Sequence, residues 1–431
     1  MYKRLNTSKA FQAFHILRQI ALMLIGIFLA RSGVSQEEIG NYEWLMFLLF
    51  ASSFFWVNGT TQGLLTMYPK QNPDSQRSLI FQVFVFFCVM GLIAVALLGF
   101  GRNSLVMWLT NRTPINYLEL FLAFLFFNMP TFLVESIYLL QDRAKPIVYF
   151  AVFSFVGQAL AILLPLYFGF SMVHSYVALL ILSVLKFVWL IIVLFQTSRI
   201  DWNWALFYRL LQLSLPLILY SLLGGFAQVI DSWLVAWQYP GDKAQFAVFR
   251  YGARELPLAL AVATAFSASM LPQIALNLGE AVIALKSRSL RLFHFLFPPS
   301  ILIALFSQSL FVLVFGEDFR ASYLVFNVYL LILSNRLIFP HTILIGLEQN
   351  SLLFRVSIVE LFINLAASIV LVQYLGLMGI ALGTVIAYTF EKIVYIVYLR
   401  RKYNILFHEY THVGWLTFYT IALFLAFLYA L

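Results

Sequence analysis

The sequence predicts an all-α, polytopic membrane protein, and three observations carry that expectation. Of 431 residues, 62% are hydrophobic and 10% charged, where an ordinary soluble domain is about 45–50% apolar and about 25% charged. The apolar residues fall in long continuous runs, each close to the ~20 residues that cross a bilayer as a helix. None of the runs alternates with period two, as the strands of a β-barrel would. A globule in water has no means of covering this much apolar surface. A soluble enzyme and a disordered chain are therefore both excluded.

Six apolar runs fill the first part of the chain, at 11–30, 44–67, 79–99, 117–140, 147–168 and 174–196. Six more follow at 213–237, 246–271, 292–315, 322–346, 353–374 and 379–399, and a last run covers 414–431. These make thirteen candidate crossings. The first run ends Leu29-Ala30-Arg31 with no small-x-small cleavage site and a second span soon follows, so it reads as a retained helix. Pro130, Pro216, Pro257 and Pro340 lie inside runs and predict kinks. Gly224-Gly225 in the seventh run reads as close helix packing or as a bend. The single cysteine, Cys88, rules out a disulfide framework or a cysteine metal site and reads as a small buried hydrophobe.

The formal net charge of +9 has to be read by location. With the N-terminus in the cytoplasm, sixteen Lys and Arg fall on inside segments and five on outside loops, among them Arg31, Arg102 and Arg320. That asymmetry sets orientation, so the positive charge does not imply a nucleic-acid partner. Every loop is short, with about 14 residues between Arg400 and Gly414. None has the length of a separate domain, so function is expected inside the helical bundle.

An internal repeat divides the chain. Tyr167-Phe168-Gly169 follows the fifth run and Tyr374-Leu375-Gly376 the eleventh, 207 residues apart. Leu140-Gln141 and Leu347-Glu348 end the fourth and tenth runs at the same offset. The loop at 33–42 has a counterpart at 241–249. Six crossings per repeat is an even number, so both halves run in the same direction, as two six-helix bundles about a pseudo-twofold axis normal to the membrane. The expected organisation is an N-terminal lobe at 1–199, a C-terminal lobe at 200–402, and an extension at 403–431 with one further helix.

Several stretches resemble the multidrug/oligosaccharidyl-lipid/polysaccharide exporter superfamily, and within it the Wzx-type polysaccharide flippases. They are Leu29 to Tyr42, Gln228-Val229-Ile230-Asp231 with Ala247 to Tyr251, Ala268 to Pro272, and Asn364 to Thr384. The likeness spans about residues 1–400. It implies a central cavity between two lobes, alternating access, and transfer of an undecaprenyl-diphosphate-linked oligosaccharide from the cytoplasmic to the outer leaflet of a bacterial inner membrane. It implies no enzyme activity and no cofactor. It is consistent with a functional monomer working beside other polysaccharide assembly proteins. The thirteenth run departs from the family's twelve or fourteen spans.

Ionisable groups inside spans are expensive, and they are normally paired or face a wet cavity. The cations here are Arg18, Lys186, Arg250, Arg254, Arg336 and Lys392, and the acids are Glu135, Asp231, Glu255, Glu360 and Glu391. Arg18 either snorkels to the cytoplasmic interface or lines a cavity. Arg336 is near the middle of its span, where snorkelling is difficult, and reads as cavity-lining. Lys186 is also near mid-span, without a polar face around it. Arg250 and Arg254 are one turn apart. One of them reads as the partner of Asp231, leaving the other free for a phosphate. Glu391 and Lys392 are expected to reach water at the inner end of the twelfth span. Glu135 and Glu360 either pair with Arg18 or line the cavity. Asn58, Thr61, Gln62, Gln228 and Asn335 are the candidate polar lining.

The functional expectation is therefore a cationic cleft for the diphosphate head of a lipid. Coupling to Na⁺ or H⁺ would run through Asp231, Glu255, Glu135 or Glu360. No Walker A sequence is present, and an inside-negative potential favours outward movement of an anion. A cation-coupled drug antiporter of the same superfamily is the first alternative. A membrane polysaccharide polymerase or ligase is the second, although such enzymes carry long external loops. The six histidines show no catalytic spacing and no metal site.

Overall fold

The computed structural model describes residues 7–431 apart from 32–33, 35, 103, 105–115, 240–242, 254, 316 and 318–319. Among the described residues every regular element is helical. The chain divides into two compact units, Met1–Ile218 and Leu219–Leu431.

In unit 1, α1 is Thr7–Arg31, α2 is Gln36–Met67 and α3 is Pro73–Phe100. The fourth span is built from α4 (Leu118–Asn128), a 3₁₀ turn at Met129–Leu133, and α5 (Val134–Leu140). The fifth comprises α6 (Ala144–Ala151), a π turn at Val152–Val156 and α7 (Gly157–Tyr167), and α8 is Met172–Thr197. The start of α3 shows why boundaries fall where they do. Asn72 accepts a bond from the Ser75 amide at 2.8 Å, and Pro73 takes the first helical position, where a missing N–H is harmless. The 3₁₀ turn follows from Pro130, which has no N–H to donate. There the Asn128 carbonyl is bonded by the Thr131 hydroxyl at 2.7 Å.

The helix α9, Trp204–Gln238, holds the unit boundary within it. Unit 2 continues with α10 (Lys243–Gly252), α11 (Pro257–Leu276), α12 (Leu278–Leu305) and α13 (Ser307–Phe315). Then come α14 (Ser322–Arg336), α15 (Pro340–Gly346), α16 (Asn350–Leu375) and α17 (Leu377–Tyr403). The short α18 (Phe407–Tyr410) and α19 (Val413–Tyr429) end the chain. Nine described helices are long and apolar enough to cross a membrane, or eleven when two bent pairs are each taken as one span.

Three expected spans differ from the structure. The run 246–271 is not one helix. It stops at Gly252, where the backbone presses so closely on the Ser322 carbonyl and Val325 that a Cβ would collide with them. It restarts at Pro257, whose ring disfavours helical backbone in the residue before it. Leu256 is accordingly extended. The run 292–315 begins earlier, at Leu278, and turns by 77° between α12 and α13. The run 322–346 bends by 46° between α14 and α15, where Pro340 opens the second piece. Cys88 is half-buried rather than fully buried. The last apolar run forms α19, which is only 17 residues long. It docks on α12 through a 2.8 Å bond between Tyr419 and His294.

The internal repeat is visible in backbone geometry. Gly169 and Gly376 both have positive φ, 78° and 57°, which is why glycine ends both spans. Asp142 and Glu348 also have positive φ, 55° and 60°, after the paired spans. The 3₁₀ turn that breaks the fourth span and the bend between α14 and α15 fall at equivalent positions.

Small residues set the closest helix approaches. Gly59 and Gly63 of α2 face Ile218 and Ser214 of α9, and a Cβ on either would collide with them. Gly379 and Gly383 of α17 press in the same way on Leu371 and Ser368 of α16. Both pairs are spaced i, i+4, the small-xxx-small pattern that lets membrane helices touch. Gly224, by contrast, has open space where a Cβ would stand, so it is not a packing contact. Gly63→Leu is expected to lower the melting temperature in detergent by several degrees and reduce folded yield, whereas Gly224→Ala leaves both unchanged.

Candidate functional site

Charged side chains from three spans of unit 1 converge on one another. Arg18 is on α1, Glu135 is at the start of α5 and Lys186 is at the middle of α8. Glu135 is in electrostatic reach of both cations. Lys186 Nζ donates to Asn128 Oδ1 at 2.7 Å, just before the 3₁₀ turn. Neither Arg18 nor Lys186 forms a direct salt bridge with a described residue, and one Glu135 oxygen is buried without a hydrogen-bond partner. Arg18 keeps an exposed side chain. His15, one turn before it, is flanked by the rings of Phe11 and Phe14. Two cations thus share one acid. Asn128 and His15 belong to this cluster but were not singled out from the sequence. The signal for Asn128 was a lone amide two residues ahead of an intramembrane proline.

The polar stretch of α2 takes a different position. Asn58 is exposed, while the Thr60, Thr61 and Gln62 side-chain oxygens are buried without partners, beside the crossing with α9. The Ser214 hydroxyl at that crossing is also unpartnered.

In unit 2 the Asp231 carboxylate of α9 is 4% exposed. Its Oδ2 accepts from the Thr384 hydroxyl at 2.8 Å and the Tyr329 hydroxyl at 3.0 Å. Asn364 Nδ2 donates to Thr384 Oγ1 at 3.3 Å, and Ser368 Oγ donates to Asn364 Oδ1 at 3.2 Å. Four helices therefore wrap one carboxylate in neutral groups, and Oδ1 is left buried and unpartnered. Among the described residues no arginine pairs with Asp231, and Arg254, one of the two expected partners, is not among them. Arg250 is exposed to solvent, while Arg254 and the Gln228 side chain lie outside the described residues.

The arginine that does find an acid is Arg336. Its Nε and Nη2 donate to the two oxygens of Glu255 at 2.9 and 2.6 Å. Nη2 also donates to the Tyr388 hydroxyl at 3.1 Å, and the guanidinium is 4.6 Å from that ring's centre. Asn335, its neighbour, donates to Thr389 at 3.0 Å.

A second ion pair joins Glu391 and Lys392 at 3.0 Å. The two were expected to reach water, but they are 2% and 5% exposed. Tyr220 and Tyr395 cover them, each donating its hydroxyl to Glu391 Oε1, at 3.0 and 2.9 Å. Glu360 is also buried, and its charged neighbours within unit 2 include Glu391, Lys392 and Arg336. Among the described residues no cluster of His, Cys, Asp or Glu could hold a metal ion.

No protein-family model matches the chain, and no curated protein matches it. Solved structures do. An outward-facing multidrug resistance transporter of the MATE family, in the MOP superfamily, superposes with a TM-score of 0.75 at 17% identity, covering 93% of this chain and 97% of that one. A point mutant of the MATE transporter VcmN from Vibrio cholerae gives 0.72 at 16% identity, covering 92% and 98%. A MOP superfamily transporter from Pyrococcus furiosus, described as having a binding pocket of reversed polarity that suggests a different function, gives 0.72 at 14% identity, over 93% and 96%. The fold is therefore that of the MATE transporters.

Removing one member of a buried pair strands the other. Glu391→Gln is expected to destabilise the protein by about 3–5 kcal/mol, read as a loss of unfolding free energy in detergent. The double variant Glu391→Gln with Lys392→Met should recover most of that loss.

Proposed function

We propose that this chain is a flippase that carries a lipid-linked oligosaccharide, of the undecaprenyl-diphosphate type, across a bacterial inner membrane by alternating access. The observation that carries the reading is the cluster of Arg18, Lys186 and Glu135, where two cations meet one acid in membrane-spanning helices. A surplus positive charge at that depth is expensive unless something negative arrives. A diphosphate supplies that charge, because ammonium and guanidinium donors replace the water it sheds. The prenyl tail stays in lipid and needs no polar surroundings. The N-terminus stays in the cytoplasm, and the protein works as a monomer beside the other proteins of surface-polysaccharide assembly.

The coupling ion, Na⁺ or H⁺, is assigned to Asp231. Its Oδ1 has no partner, and no lysine or arginine among the described residues pairs with it. A cation there neutralises a charge that otherwise sits among neutral hydroxyls and amides. Asp231→Asn is expected to abolish any dependence of transport on the Na⁺ or pH gradient while leaving the protein folded. Transport by reconstituted vesicles under each gradient checks this.

A cation-coupled drug antiporter is the second reading, and the fold similarity to a multidrug resistance transporter favours it. A deletion strain separates the two. Arg18→Ala combined with Lys186→Ala should reduce surface polysaccharide at least about tenfold at normal membrane abundance, with drug tolerance unchanged. Normal polysaccharide from both Arg18→Ala and Arg336→Ala would sink the cationic model. Loss of drug efflux with intact polysaccharide would establish the antiporter.

A further inference from the structure

Glu255 and Arg336 each stand at a helix break. Glu255 lies two residues before Pro257, which opens α11, and Arg336 is the last residue of α14, before the 46° bend. An acid at a helix N-terminus and a base at a helix C-terminus each complement the partial charge there. The breaks therefore place the two side chains at the ends that favour them.

The pair they form differs from Glu391–Lys392. The latter is sealed, with side chains 2% and 6% exposed. The Glu255–Arg336 side chains keep 17% and 27%, and they border a cavity of about 10 Å³ lined also by Ala259, Tyr329 and Leu333. That is room for roughly one water. The contact is a two-pronged fork, with Nε on one carboxylate oxygen and Nη2 on the other. A phosphate group meets a guanidinium through the same two-pronged geometry. Glu255 thus occupies the donors a phosphate would use. Tyr388 holds the guanidinium from the side, through Nη2 and through its ring, and it can keep the fork in place when the carboxylate leaves.

We infer that Glu255 is an intramolecular competitor for the anionic head group at Arg336: it fills the guanidinium fork when the site is empty, and a phosphate displaces it on binding. This rests on the reading that Arg336 meets the passenger's phosphates. The arrangement answers two requirements of a carrier. An empty cleft with a bare guanidinium would leave an uncompensated charge in the membrane. A bare guanidinium would also hold a diphosphate too long to release it. With Glu255 returning to the fork, both the empty and the loaded states are compensated, and release is assisted by the re-forming pair. Glu255 is a positioning residue that sets affinity and selects ligands with enough charge to displace a carboxylate.

The test uses the full chain in lipid nanodiscs, with inorganic pyrophosphate and farnesyl diphosphate as probes, binding being read by calorimetry. Glu255→Gln is expected to bind both probes about tenfold more tightly than the parent, since a charge-assisted competitor has been removed. Arg336→Ala should lose the gain, alone or combined with Glu255→Gln. Glu255→Asp retains the charge but shortens its reach, and should lie between the two; it serves if Glu255→Gln does not fold, as judged by melting temperature. Unchanged affinity in both Glu255 variants, with weakened binding in Arg336→Ala, overturns the competitor and leaves the flippase reading intact. Parent-like binding by Arg336→Ala overturns the assignment of the head group to Arg336, and the competitor with it.

Discussion

A charge inside hydrocarbon has to be met by an opposite charge, by hydrogen-bond partners or by water. That constraint explains the interior of this protein better than any single motif. Glu391 and Lys392 meet it with each other and are sealed under two tyrosines. Glu255 and Arg336 meet it with each other but remain accessible. Asp231 meets it with hydroxyl and amide groups from three neighbouring helices and leaves one oxygen unsatisfied. Arg18 and Lys186 meet it incompletely, sharing Glu135. The groups thus differ in how fully they are compensated. A sealed pair has nothing to exchange, whereas an orphan oxygen or a shared acid does.

Helix breaks give these groups their places. A membrane helix tolerates a break only where neighbouring protein or a polar cavity takes up the freed backbone groups. The fourth span and the pair α14–α15 break at equivalent positions of the repeat, at Met129–Leu133 and between Arg336 and Pro340. Each break is adjacent to a member of a charged cluster, Asn128 with its bond to Lys186 in one case and Arg336 in the other. The repeats are not identical. α2 is continuous, while its counterpart is split into α10 and α11. That split creates the helix end at which Glu255 stands, so the asymmetry between repeats supplies the acid that Arg336 needs.

Much of this was readable beforehand, for definite reasons. Long apolar runs announce spans because nothing else satisfies so much apolar chain. The repeat showed through Gly169 and Gly376 because both positions demand a positive φ, which glycine adopts freely. Boundaries inside apolar sequence were not readable. Phe306, between α12 and α13, carries neither proline nor glycine, so the 77° turn left no local mark. Partner choice was not readable either. Glu391 and Lys392 lie near a span end and look destined for water, but Tyr220, distant in sequence, closes over them together with Tyr395. Arg254 and Glu255 are adjacent in sequence, yet the choice of Glu255 for Arg336 depends on how α11 meets α14 in space.

The charges also sort by unit. Among the described residues of unit 2 the cations Arg336 and Lys392 are each matched to an acid, which leaves Asp231 and Glu360 as carboxylates without a dedicated cation. In unit 1 the imbalance has the opposite sign, with Arg18 and Lys186 against Glu135. The helix α9 carries groups of both kinds: its part up to Ile218 packs in unit 1 against Gly59 and Gly63, beside the unpartnered Ser214 hydroxyl, and its continuation holds Tyr220, which covers a sealed pair, and Asp231, whose carboxylate keeps one orphan oxygen.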